Sequence, residues 1–261
     1  MANFFTAAHE AYPDPIIEPI EGQVYSVSYS TMSTFEKCAH AVYLGKVKGI
    51  RGLGSAATDR GSKLHDMLEQ YVLGNLNEVK WKSMKSHDYH APIINSFADL
   101  FDEGLCTPEL KVAFTNDMKP TKWDAKDMWL RGAIDVVVWK DKKKEAATIY
   151  DYKSGQDLYA TQHRTQLMMY ALLMFHLFPS LQSINSAALY LDLKKDPFYT
   201  QFTRDDVELL WPRMYERLNR VTDCRDFQPN PNGFSCKWCQ HKKIIPELEQ
   251  AEPACKFAHG A

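Results

Sequence analysis

No apolar run in this 261-residue chain approaches the ~18 residues that a helical membrane span requires, so no such span is expected. Residues 1–14 have neither a basic start nor an apolar stretch, which speaks against a secretory signal and for a soluble, cytoplasmic protein. Net charge is scarce too. Thirty-one Lys+Arg against 33 Asp+Glu leave −2, which argues against a histone-like polybasic binder but leaves local charged sites open. There is no internal repeat, and no helix-turn-helix or zinc-finger signature, so base-specific recognition is not indicated. What remains is globular: 45% hydrophobic and 25% charged residues exclude low-complexity disorder. Six cysteines without an export signal read as free thiols or metal ligands ahead of disulfides.

The chain divides by texture. Residues 1–25 carry Pro13, Pro15 and Pro19 without a period and read as an extended arm. Residues 26–223 read as one core, and residues 224–261, which hold four of the six cysteines, as a cysteine-rich tail. Within the core, Met32, Phe35, Ala39, Val42 and Tyr43 recur at helical intervals, with Ser33 and Glu36 at capping-box spacing. Further helices are expected from Asp59 through Val72 and through Ile93 to Phe101. After Pro108 the period drops to two. Strands are expected at Leu110–Phe114, Trp129–Trp139, Ala146–Lys153 and Ile184–Leu193, with helices at Leu158–Phe178 and Thr203–Val221. Asp206 takes the capping-box position of the last helix. This order predicts an α/β (α+β) core, a mixed sheet flanked by helices.

The second and third strands form a hairpin. If residues 141–145 are its loop, Lys140 faces Ala146, paired residue numbers sum to 286, and Asp135 falls opposite Asp151. Opposed side chains lie ~4.5–5.5 Å apart at Cβ, and like charges there are destabilising. The pair therefore calls for a cation, a shared proton or another register. Lys153, two residues beyond Asp151, lies on the same strand face. An acid two residues before a lysine is a weak pattern, recurring at Glu78/Lys80, Asp117/Lys119, Asp124/Lys126 and Asp192/Lys194, and alone it reads as a surface pair. The strand before it, the Ser154-Gly155 turn after it and the acid across the hairpin set this instance apart.

With these residues the chain resembles the PD-(D/E)xK nuclease superfamily, in particular its RecB-type branch, which includes CRISPR-associated and AddB-like nucleases. The likeness rests on five segments in order: Ser28–Tyr43 with Cys38, Gly61-Ser-Lys-Leu-His65, Gly132-Ala-Ile-Asp135, Asp151-Tyr-Lys153 with Ser154-Gly155, and Gln166-Leu-Met-Met-Tyr170. The resemblance implies His65, Asp135, Asp151 and the Tyr152 carbonyl as ligands of Mg²⁺ or Mn²⁺. It implies Lys153 as the group positioning the attacking water, Glu109 as an additional acid on the first strand, and Gln166 and Tyr170 as residues that seat nucleic acid. Without it, His65 is an ordinary hydrogen-bonded histidine, and Gln166 and Tyr170 are a polar stripe on an apolar helix.

Cys236-Lys-Trp-Cys239 has the spacing of two thiolates sharing a metal. The resemblance implies a 4Fe–4S cluster held by Cys38, Cys236, Cys239 and Cys255. The long gap before Cys255 departs from the family pattern. Cys224 in place of Cys255, a four-thiolate zinc site and free thiols all stay open, while Cys106 reads as an ordinary cysteine. Lys37, Lys46, Lys48, Arg51, Arg60 and Lys63 face a single acid, Asp59, over one stretch, and Arg60 and Lys63 lead directly into His65 as candidate phosphate contacts. The expected activity is metal-assisted hydrolysis of DNA phosphodiesters, as an exonuclease on single strands or DNA ends in recombination, repair or phage DNA processing. A recombination or replication protein is the partner this setting implies. An endonuclease, or a non-catalytic nucleic-acid-binding subunit, is the alternative.

Overall fold

The structure, a computed structural model, describes residues 21–50, 52, 56–76, 86–155, 160–242 and 255–258. The helices are α1 (Tyr29–Lys37), α2 (Ala39–Val42, continued by a π-turn at Tyr43–Val47), α3 (Ala56–Val72), α4 (His87–Asp102), α5 (Ala160–Leu177), α6 (Asp206–Thr222) and the short α7 (Gly233–Lys237). The strands are β1 (Cys106–Phe114), β2 (Leu130–Trp139), β3 (Ala146–Lys153), β4 (Ser183–Tyr190) and β5 (Phe198–Thr203), in sheet order β1-β2-β3-β4-β5. None of the described helices is long and apolar enough to cross a membrane.

The sheet is mixed. β2 and β3 are antiparallel, β3 and β4 are parallel with α5 as the crossover, and β4 and β5 are antiparallel. The α/β reading therefore holds. The β2–β3 ladder pairs Val136 with Tyr150 through Trp139 with Ala147, the register that the loop length predicts. The Lys140 N–H donates to the Ala146 carbonyl at 2.9 Å to close the hairpin. Strand alternation then sorts the side chains. Val136 and Tyr152 pack with Leu64, Leu68, Val72, Ile94 and Phe97 of α3 and α4, whereas Ala188 and Tyr190 pack on Leu167 of α5. Helix α5 is covered nearly all round, with Leu167, Met169, Ala171, Leu172, Leu173, Met174 and Phe175 all buried, as expected of a crossover helix inside a core.

Four expectations change. Helix α1 starts at Ser28, whose hydroxyl accepts the Thr31 N–H at 3.3 Å, so Ser33 is no cap. Glu36 instead takes both ends of the Arg217 guanidinium at 2.7 and 2.8 Å. The expected continuous first helix breaks at Cys38, which is extended (φ −162°, ψ 105°). The Lys37 carbonyl accepts from the Asn230 side chain at 3.0 Å, an outside partner that a continuous helix would not need. A fifth strand, β5, was not expected; its burial alternates, but Thr200 on the inward side and Tyr199 on the outward side blur the apolar period. β1 starts at Cys106, ahead of Pro108, which a strand at the edge of a sheet accommodates. In α6, by contrast, Asp206 accepts the Thr203 N–H at 2.7 Å and its hydroxyl at 2.9 Å, the capping contact read from spacing.

By contact density the chain forms two compact units: residues 1–55, 113–131 and 212–261, and residues 56–112 and 132–211. The second contains α3, α4, α5 and most of the sheet; the first contains α1, α2, α7 and the later part of α6. Of the arm expected over residues 1–25, residues 1–20 lie outside the described residues, as does Arg51.

Candidate active site and cysteine cluster

All the candidate nuclease residues lie in the second unit. The β2–β3 register brings Asp135 and Asp151 to the next position beyond Val136 and Tyr150, both carboxylates buried. Asp135 accepts from the Tyr152 backbone N–H through Oδ2 at 2.6 Å and lies 2.9 Å from His65 Nδ1 through Oδ1. Burial of the His65 ring opposes its protonation. The Asp135 hydrogen bond and the charges of Asp135 and Asp151 outweigh this and hold the imidazole above its ordinary pKa. Asp151 is 3% exposed; its burial, and then the Asp135 charge, push its pKa up against the pull of Lys153. The Lys153 ammonium forms an ion pair with Asp151 Oδ2.

Lys153 is held from its other side as well. Its Nζ donates to Gln166 Oε1 at 2.7 Å, and Gln166 Nε2 donates to the Tyr170 hydroxyl at 2.9 Å. The four-residue spacing on α5 thus builds a relay that aims Lys153, with Tyr170 itself buried. Glu109 is half-buried on β1, at a left-handed φ of 45° that is costly for a residue with a Cβ. Burial, and then the Asp135 charge, raise its pKa, while Lys111 at 3.9 Å opposes this.

The motif glycines have a steric reason. A Cβ on Gly61 would sit 2.9 Å from Ser154 Oγ, and one on Gly132 would sit 3.1 Å from Leu173 Cδ1 and 3.2 Å from Tyr170 Cε1. The first lets α3 approach the turn after Lys153; the second lets α5 lie close on β2.

Two contributors escape sequence reading. Asp192, its side chain 1% exposed, takes both arms of Arg60 at 2.7 Å each and the Gly155 N–H at 2.8 Å, tying the start of α3 to the turn after Lys153. Arg60, expected on phosphates, therefore has an internal partner, while Lys63 is exposed. A cleft of about 430 Å³ is lined by Ala56, Asp59, Arg60, Lys63, Leu64 and Met67. His163, three residues before Gln166, sits 3.1 Å from the Tyr190 hydroxyl, and burial together with the Lys153 charge lowers its pKa to about 4. No local signal marks either residue, because their partners are remote in sequence.

Two carboxylates, a third nearby acid and an imidazole with Nε2 remaining form a hard donor set that fits Mg²⁺ or Mn²⁺. No three His, Cys, Asp or Glu side chains among the described residues are arranged to hold one metal ion, and His65 and Lys153 supply the positive charge here.

In the first unit, the cysteines sort themselves. Burial pushes the Cys239 thiol up, and it also feels the charges of Cys255, Cys38 and Cys236; Cys255 responds likewise to Cys38 and Cys236. Cys38, Cys236, Cys239 and Cys255 thus lie within electrostatic reach of one another. Cys224 is shifted by burial and Asp226 with no cysteine among its influences, and Cys106 lies apart in the second unit, pushed up to about 12 by burial.

Several solved structures are similar to the chain at low identity. The crystal structure of SSO0001 matches over 88% of both chains at 13% identity and a TM-score of 0.44. A putative exonuclease from Eubacterium rectale matches over 85% of this chain and 89% of its own, at 11% and 0.47. The alkaline exonuclease LHK-Exo from Laribacter hongkongensis matches over 76% and 87%, at 12% and 0.30. These likenesses are too remote to carry an argument about the site. No curated protein matches the sequence. The family model described as the PD-(D/E)XK nuclease superfamily matches residues 26–244, a span that takes in the hairpin carboxylates, Lys153 and the glutamine relay, and the chain belongs to that superfamily.

Proposed function

We propose that the protein is a metal-dependent DNA nuclease of the RecB type that hydrolyses phosphodiesters from DNA ends. The observation that carries this is the convergence of His65, Asp135, Asp151 and Lys153, with Lys153 fixed by Gln166. His65, Asp135, Asp151 and the Tyr152 carbonyl would hold Mg²⁺ or Mn²⁺, which when bound supplies Lewis-acid charge at the scissile phosphate. The chain's own residues do the positioning. Asp151 and Gln166 hold the Lys153 ammonium from two sides, so that it orients a water for in-line attack and offsets developing negative charge. Asp135 fixes the His65 ring through Nδ1, the kind of outer partner that orients a metal-binding imidazole. Exposed Lys63 beside the α3 cleft meets phosphates without reading sequence.

We propose further that Cys38, Cys236, Cys239 and Cys255 bind a 4Fe–4S cluster. The four thiols lie within electrostatic reach of one another, which supports a shared metal group. A recombination, repair or phage DNA-processing setting, with a recombination or replication protein as partner, goes with this reading.

The test is cleavage of end-labelled linear DNA and covalently closed circular DNA with Mg²⁺ or Mn²⁺. Degradation of linear DNA alone, lost in Asp151→Ala and in EDTA, is the expected result. Cleavage that persists in Asp151→Ala sinks the catalytic assignment, and nicking of circles replaces exonuclease with endonuclease. Anaerobic protein should be brown; a colourless preparation with stoichiometric zinc would replace iron–sulfur with zinc.

A further inference from the structure

Trp238 and Phe234 are 71% and 62% exposed, the two most exposed large hydrophobic side chains among the described residues. They are four residues apart across α7, whose intervening Cys236 is buried, so this segment turns its thiol inward and its rings outward. Phe257 is 42% exposed and meets the His40 ring edge-on at 5.2 Å. Such exposure is unfavourable for large aromatic side chains unless something covers them.

The charge around the rings indicates what covers them. Lys237 Nζ lies 5.0 Å from the centre of the Trp238 ring, and Lys256 Nζ lies 5.3 Å from that of Phe257. Residues 227–242 and 255–258 carry Lys237, Lys242 and Lys256 and no Asp or Glu. The base beneath them is fixed. The Asn232 side chain accepts the Ser235 N–H at 2.7 Å, the Cys236 N–H donates to the Asn232 carbonyl at 2.9 Å, and the Asn230 side chain donates to the Lys37 carbonyl at 3.0 Å. Aromatic faces with ammonium groups beside them match a chain of unpaired bases on a phosphate backbone. Each base has a face to stack, and each phosphate has a charge to meet. Bases within a duplex are already stacked and present no free face.

We propose that Trp238 and Phe234, with Lys237, form a stacking platform for single-stranded nucleic acid. This rests on the reading of the chain as a nucleic-acid enzyme and adds the strand state of what it binds. The test is fluorescence anisotropy with the full chain in buffer without divalent cations, titrated into labelled oligothymidylate and into a duplex of equal length. Trp238→Ala should weaken oligothymidylate binding roughly tenfold and leave duplex binding unchanged, while Trp238→Phe, which keeps a ring, retains most of the affinity. Equal losses for both ligands, or no loss for either, overturn the platform. So does an unchanged oligothymidylate affinity accompanied by a shift of the protein's mass in light scattering, since that makes the patch a protein interface. Cleavage plays no part in the titration, so failure of the nuclease reading registers only in the Asp151→Ala assay.

Discussion

Around Asp151, each acid and base in the site is paired with another on a packed helix or strand, and apolar side chains fill the space behind them. Across residues 228–242 the arrangement is reversed: Phe234 and Trp238 face solvent, and the buried residues are Cys236 and His241. One region is held by packing, the other by short hydrogen bonds. A segment that buries so little apolar surface has little stability of its own, and a cluster binding four thiolates is the kind of cross-link that replaces a core.

Removing a thiol of the proposed cluster should therefore have the largest local effect. Cys236→Ser is expected to abolish the brown chromophore and expose residues 224–242 to limited proteolysis, while hydrogen exchange at β2 and β3 stays slow. Loss of protection in the sheet as well would erase the contrast between the regions. The converse variant is Leu68→Ala, at a fully buried site beneath β3. It should cost the second unit ~2–5 kcal/mol in urea unfolding and leave the chromophore intact.

The contrast also separates what was legible in the sequence from what was not. The hairpin could be read because a five-residue loop and a period of two determine the register, and Asp135, Asp151 and Lys153 follow from it. The meeting of His65 with Asp135 spans 70 residues and came only through family resemblance. The helix break at Cys38 has no Gly or Pro to announce it; an asparagine 193 residues away takes the Lys37 carbonyl. The Asp192 latch spans 132 residues, and its acid sits in one of the repeated acid-x-lysine patterns that read as surface pairs. Local period carries local pairing; contacts between distant elements need the fold.

That latch offers the next test. Asp192→Asn keeps the shape but removes the charge that takes the Arg60 fork and the Gly155 N–H. Arg60 is 36% exposed and can turn to water, so the stability cost should stay near 1–3 kcal/mol, below that of a fully buried pair. The turn after Lys153 loses its anchor, so kcat should fall roughly ten- to hundredfold with KM little changed. A rise in KM with kcat intact would make Arg60 and Asp192 substrate contacts rather than positioning residues.

The smallest effect concerns His163. Its ring, held neutral by burial and by the Lys153 charge, lies 3.1 Å from the Tyr190 hydroxyl and titrates at about 4 in the folded chain, against an ordinary 6.5. The unfolded chain therefore binds this proton first as pH falls. The contribution of the neutral ring to stability is complete above about pH 6.5 and is lost progressively towards pH 4. In His163→Gln the amide cannot titrate, so the fall in urea midpoint between about pH 7.5 and 5 should be shallower than in the parent protein. His176 and His241 are also lowered by burial and keep part of the slope in both proteins, which makes the difference between the two curves the measure of His163 alone. Parallel curves would mean that the ring beside Tyr190 is already solvated, and that the packed character of the second unit stops short of this end of α5.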